Sequence, residues 1–293
     1  MAAEITRRRL LASALFAPAM PGRLRAASQS VAVIDWGMLE TLLAIGADPS
    51  AGTELIQFRR LVVEPELPRT IIDLGLRGTP NYELLRLVAP DLIVISNFYE
   101  YQRTALERVA PVLSLPVYEA GTPPYPLAER AATALGAALG RTEEAAALIE
   151  GTAALAARCR DVLRPIAARP LFVISLGDSR HFRAFGADSM AGDVLGRLGL
   201  ANAWTDPTSY SATAPVAIEA LARKPDAAIV VVAPLPPEVA RTLAENALWN
   251  ALPAVRQGRV AVLDPINHFG GLPSARRFAR LLTDAASLWG RDG

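Results

Sequence analysis

The chain has 293 residues, of which 52% are hydrophobic and 20% charged, with 20 Gly and 23 Pro. That composition excludes a disordered or low-complexity protein and supports a core large enough for two domains. The net charge is +1, yet Arg7, Arg8, Arg9, Arg23 and Arg25 face only Glu4 within residues 1–27; without that stretch 25 basic and 28 acidic residues remain, net −3. A slightly acidic body excludes a phosphate-backbone binder, so no nucleic-acid partner is expected.

Residues 1–27 read as an export signal. Arg7, Arg8 and Arg9 precede the apolar run Leu10 to Met20, and a basic head before a short apolar stretch is the anatomy of such a signal. The arginine pair resembles the twin-arginine type. The run is too short to span a bilayer, and no later run of 18 apolar residues exists.

Residues 28–140 are predicted as a first α/β lobe. Val31 to Ile34 is a strand, Leu39 to Ile45 a helix, Thr70 to Gly75 a strand end, Tyr82 to Val88 a helix and Leu92 to Ile95 an apolar strand. An uninterrupted apolar strand suits a parallel sheet covered on both faces. Residues 141–166 are predicted as one long linking helix, N-capped by Thr142 and ended by Pro165. Twenty-odd residues at ~1.5 Å each reach about 30 Å, enough to cross from lobe to lobe and to limit motion to a small rocking. Cys159, the only cysteine, lies in this run and reads as a buried, inert thiol.

Residues 167–293 repeat the design. Leu171 to Ile174 and Ala228 to Val232 are strands; Ser189 to Leu198 and Ala217 to Ala222 are helices. Asn81 to Asp91 and Val216 to Asp226 share a pattern: a short helix with an early glutamate, then Pro-Asp, then a buried strand. The glutamates, Glu83 and Glu219, are 136 residues apart. Two copies of one unit predict an α/β fold of two Rossmann-like lobes joined by the single helix. One long doubly wound sheet is the competing arrangement.

Catalytic signatures are absent: no G-x-S-x-G elbow, no phosphate-binding glycine loop and no H-E-x-x-H pair. His181 and His268 could serve a metal or a base only if Asp178 or Asp264 came beside them. Ligand sites in parallel α/β units lie beyond the carboxyl ends of the strands. In the first lobe those ends hold Arg77, between Gly75 and Gly78, and Tyr99. An arginine fork and a phenol suit an oxygen-covered metal chelate. In the second lobe the loops carry Ser209, Ser211 and Thr213, then Asn267, His268 and Phe269. Glu83 and Glu219 each open a helix, which suits the helix dipole or a symmetric partner rich in arginine.

The stretches Val63 to Pro68, Ile72 to Arg77 with Pro80 and Asn81, Ala201 to Trp204, Leu248-Trp249, Leu252-Pro253, Ser274-Ala275 and Phe278 resemble the iron(III)-hydroxamate binding proteins of Gram-negative bacteria. The resemblance implies a helical-backbone periplasmic binding protein, not an enzyme, and a monomer. It would capture a ferric siderophore in the periplasm and deliver it to an inner-membrane ABC permease dimer. No cofactor is implied: iron(III) would be held only through the siderophore, with no protein ligand to the metal. Arg77 and Tyr99 match the residues that grip the chelator, and Glu83 and Glu219 match the pair that docks on the permease. The family's aromatic pocket positions fall on Leu61, Ile95, Ser211, Asn267 and Phe269. Only Phe269 keeps a ring, so a mixed citrate–hydroxamate or carboxylate chelate would fit as well as a hydroxamate. Haem or a corrinoid is an alternative cargo, and an exported α/β enzyme using His268 with Asp178 or Asp264 is an alternative class.

Overall fold

A computed structural model describes residues 29–208 and 215–289. The strands, in chain order, are β1 (Val31–Val33), β2 (Ala51–Gly52), β3 (Ile72–Asp73), β4 (Leu92–Ile95), β5 (Val112–Ser114), β6 (Leu171–Leu176), β7 (His181–Ala184), β8 (Val216–Ala217), β9 (Ala228–Val232) and β10 (Val260–Leu263). They form two five-stranded sheets, ordered β3-β2-β1-β4-β5 and β10-β9-β6-β7-β8. Two lobes, rather than one continuous sheet, are therefore the architecture.

The first sheet is parallel throughout. The second is not. β6 and β7 pair antiparallel, as do β7 and β8. The short loop 177–180 between β6 and β7 dictates this, because a parallel pairing needs a long crossover whereas a tight turn permits only a hairpin. The lobes are thus less alike than the repeated sequence pattern suggests.

Both sheets are apolar on both faces, for a reason visible in the two-residue period of a strand. Val31, Val33 and Val94 of the first sheet, and Leu171, Val173, Ala228 and Val230 of the second, face one shared apolar layer. Their alternates form a separate outer layer in each lobe: Ala32, Ile34, Ile93 and Ile95 in one, Phe172, Ile174, Ile229 and Val231 in the other. The shared layer contains the linking helix Thr142–Leu163 and the last helix, Leu272–Trp289. Contact between the lobes is therefore a common core in addition to a covalent tether. Separating them would expose apolar surface at about 25 cal/mol per Å².

The linking helix is Thr142–Leu163, within the expected 141–166, with Arg164–Ile166 following as a 3-10 turn, and Cys159 is buried in it. Its N-cap position is Arg141, with no side-chain cap bond, and Thr142 is already helical. The first helix starts at Trp36, earlier than its apolar stripe suggests, because Asp35 caps it by accepting from Met38 N at 2.9 Å. The helix expected at Ala217 to Ala222 forms as a 3-10 turn, Ile218–Arg223. The export signal lies outside the described residues. No described helix is long and apolar enough to cross a membrane.

Candidate functional site

An open depression of about 490 Å³ lies between the lobes, lined by Asp35, Trp36, Gly37, Glu54, Arg77, Gly78, Phe98, Tyr99, Asn267 and Phe269. Eight of these ten belong to the first lobe. They follow the carboxyl ends of β1, β2, β3 and β4, the place where a parallel α/β sheet holds its ligands. The chain order reverses between the neighbours β1 and β4. There Ser96 Oγ, after β4, donates to Asp35 Oδ2 at 2.8 Å, after β1.

Arg77 is fixed from three directions. Its Nε donates to Glu54 Oε2 at 2.9 Å, and its backbone N–H donates to Glu54 Oε1 at 3.1 Å. Its guanidinium carbon lies 3.9 Å from the Trp36 ring centre, a cation–π arrangement. Its carbonyl accepts from Gln102 Nε2 at 2.9 Å. The pair is part-exposed, with 30% of the arginine side chain and 20% of the glutamate side chain reaching solvent. The salt bridge uses Nε, so the two terminal nitrogens of the fork form the part of Arg77 that a ligand would meet. Glu54 holds its position at a backbone φ of 50°, in the left-handed region that costs a non-glycine residue about 1 kcal/mol or more.

Tyr99 stands beside this pair. Burial pushes its hydroxyl up to about 12, with the charge of Asp35 adding to the rise. It is therefore a neutral donor at physiological pH. Burial also raises the Asp35 carboxyl above its ordinary value, against the bonds from Met38 and Ser96. Phe98, Tyr118 and Phe269 form a ring cluster with centres 5.5–6.1 Å apart, bringing an aromatic from the second lobe against two from the first.

Beneath the depression the lobes are joined by polar contacts. Glu40, fully buried in the helix Trp36–Ala44, accepts from Gly271 N at 2.7 Å, Ser274 N at 3.2 Å, Ser274 Oγ at 2.9 Å and Asn267 Nδ2 at 3.4 Å. It thus caps the N-terminus of the last helix across the lobe boundary. Tyr118 OH donates to Gly270 O at 2.7 Å. Gly37 and Gly270 permit the approach: a Cβ on Gly37 would lie 2.8 Å from Phe269 O, and one on Gly270 would lie 2.6 Å from Glu40 Oε1. Farther out, Glu64 accepts from Arg277 and Arg280, both at 2.7 Å.

The structure brings Arg77, Tyr99, Asn267 and Phe269 together at the depression. It does not bring Leu61, Ile95 or His268 there. Ile95 is fully buried in the outer layer of the first lobe, because the strand alternation turns it away. Leu61, at the end of the helix Leu55–Leu61, packs against the shared core. His268 lines a separate apolar cavity of about 20 Å³ with Phe185, Met190 and Phe278, its ring 4.8 Å from that of Phe185. Burial there, with a smaller effect from Arg183, pushes it down to about 4. Ser209, Ser211 and Thr213 lie outside the described residues. Glu83 and Glu219 are exposed in the first turns of their helices.

Asp178 pairs with the exposed His181, 3.0 Å away, at the β6–β7 turn. Among the described residues no group of three or more His, Cys, Asp or Glu could hold a metal. Sequence reasoning missed Asp35, Trp36, Glu54 and Phe98. An acid directly after a strand and before a helix is a cap signal that marks Asp35. Glu54 follows a two-residue strand that has no apolar run, so no local signal marks it.

Two α/β lobes on a shared core, with a ligand-sized depression at their strand ends, define a two-lobed substrate-binding protein. The sequence matches the periplasmic binding protein family over residues 31–266, and the chain belongs to that family, one of binding proteins and not of enzymes. It is 30% identical, over 96% of each chain, to the iron(3+)-hydroxamate-binding protein FhuD of Escherichia coli. The fold is similar to FhuD of Vibrio cholerae bound to Fe3+-Desferal, with TM-score 0.84 and 24% identity, covering 88% of this chain and 98% of that one. It is also similar to the periplasmic catecholate-siderophore binding protein VctP of Vibrio cholerae, with TM-score 0.67 and 19% identity over 89% and 93% of the two chains.

Proposed function

We propose that this protein captures a ferric siderophore in the periplasm and delivers it to an inner-membrane ABC permease dimer, acting as a monomer. The observation that carries the reading is Arg77, fixed by Glu54 and Trp36 at the rim of an interlobe depression beside the neutral donor Tyr99. A chelator that wraps iron(III) presents oxygen acceptors on its surface, and these two groups present donors. The donors are held before the ligand arrives, which lowers the ordering cost of binding. Asn267 and Phe269 supply an amide and a ring from the other lobe, and Ser209, Ser211 and Thr213 are proposed to complete that side. The iron would touch the chelator alone.

Glu83 and Glu219, one exposed acid per lobe, are proposed to meet arginines of the two-fold permease. Leu87, one turn from Glu83 and 82% exposed, would add an apolar contact. Reversing both charges would abolish uptake and leave binding of the chelate intact. The reading itself is tested by titrating ferric Desferal into the protein and following tryptophan fluorescence, since Trp36 lines the site. Saturable quenching at micromolar or lower ligand is expected. No saturable quenching with any hydroxamate, catecholate or carboxylate ferric complex would overturn it.

A further inference from the structure

The charge of the depression points to what it admits. Its charged lining among the described residues is Asp35, Glu54 and Arg77. The second lobe contributes Asn267 and Phe269, both uncharged. Glu54 alone matches Arg77, so the lining carries no net positive charge even with Asp35 protonated, and is net negative with Asp35 ionised.

We propose that Glu54 is a specificity-determining residue that sets the charge selectivity of the site, admitting neutral and cationic ferric complexes and disfavouring anionic ones. An arginine without Glu54 would attract any anionic chelate. Here the glutamate spends the monopole of Arg77 and leaves its terminal N–H groups, so the site offers hydrogen-bond donors without net attraction for an anion. Three deprotonated hydroxamates neutralise iron(III), whereas three catecholates or a pair of citrates leave it anionic. The site thereby disfavours the anionic citrate and carboxylate chelates that the less aromatic pocket would otherwise accept. The Glu54 backbone is itself fixed, its N–H donating to Gly75 O at 2.8 Å, and its carboxylate makes two bonds to Arg77.

This inference rests on the siderophore reading, and its test separates the two. Ferric Desferal carries a pendant amine and is a monocation; its N-acetyl form is neutral and its N-succinyl form is an anion, all on one trihydroxamate core. Affinity should fall in that order, by about tenfold from first to last. Raising the salt concentration should narrow the spread by screening. In E54Q, which keeps the length and an acceptor for Arg77, the ratio between cation and anion should shrink to within about twofold. The variant's melting profile checks that it is folded, and the salt series on the unaltered protein stands even if it is not. An anion that binds the unaltered protein as tightly as the cation, or a ratio unchanged in folded E54Q, would overturn the role of Glu54. If no member binds but an anionic catecholate or citrate complex of iron(III) does, the role of Glu54 fails; if no ferric complex of any of these classes binds, it is the siderophore reading that fails.

Discussion

Among the described residues the two lobes contribute to the depression very unequally. The first places a wall of charged and aromatic side chains beyond four consecutive parallel strands, each tied to a neighbour: Asp35 to Ser96, Glu54 to Arg77, Arg77 to Trp36. The second, whose sheet breaks its parallel order at β7, contributes an amide and a ring on the loop after β10. Stacked strand ends bring several loops to one place, so a ligand meets many prearranged groups. A hairpin edge carries its loop away, as with Asp178 and His181. The difference supports the proposal that most of the grip on a ligand belongs to the first lobe.

That comparison can be broken most directly by truncation. R77A should lose at least tenfold in affinity for the cargo, since loss of an enclosed charged contact costs about 2–5 kcal/mol, whereas N267A should lose less. Equal losses, measured by fluorescence titration, would erase the asymmetry.

The join between the lobes is sharpened by E40A. Removing this carboxylate strands the buried N–H groups of Gly271 and Ser274, and should lower unfolding stability by about 3 kcal/mol. Denaturant titration would read it. E64A removes the more exposed bridge to Arg277 and Arg280 and should cost only about 1 kcal/mol. A larger loss for E64A than for E40A would mean that the lobes are held at the rim and not at the buried cap.

The smallest effect is a pH dependence. Burial pushes Glu40 up to about 7, against the donors that favour its ionised form. The folded state then binds more protons than the unfolded one between about 4.5 and 7, so this group's contribution falls as pH rises through that window. His268, depressed to about 4, acts oppositely: its contribution is lost as pH falls from about 6.5. The two act in opposite directions in the unaltered protein. The difference in melting temperature between E40Q and the unaltered protein should therefore shift in favour of E40Q from pH 5 to pH 8. A difference independent of pH would contradict the assignment.

Much of this arrangement was readable from residues alone. The strands Leu92–Ile95 and Ala228–Val232 appear where their apolar runs stand, because a strand covered on both faces needs no alternation. Arg77 and Tyr99 were readable because loops after such strands converge. The two-residue strands β2 and β3 were not fully readable, being too short for any pattern, and Glu54 was hidden with them. Ile95 failed as a site residue because alignment by position ignores which face a side chain takes. The antiparallel turn at β7 was masked by the resemblance between the two halves.

The central claim is that Arg77 and Tyr99 of the first lobe hold the chelator's oxygens while the metal touches no protein atom. A crystal structure with ferric Desferal tests it most directly. The account predicts the terminal nitrogens of Arg77 and the Tyr99 hydroxyl at hydrogen-bond distance from hydroxamate oxygens, with Glu54 still on Nε. A complex seated away from Arg77, or iron bonded to a protein side chain, would contradict it.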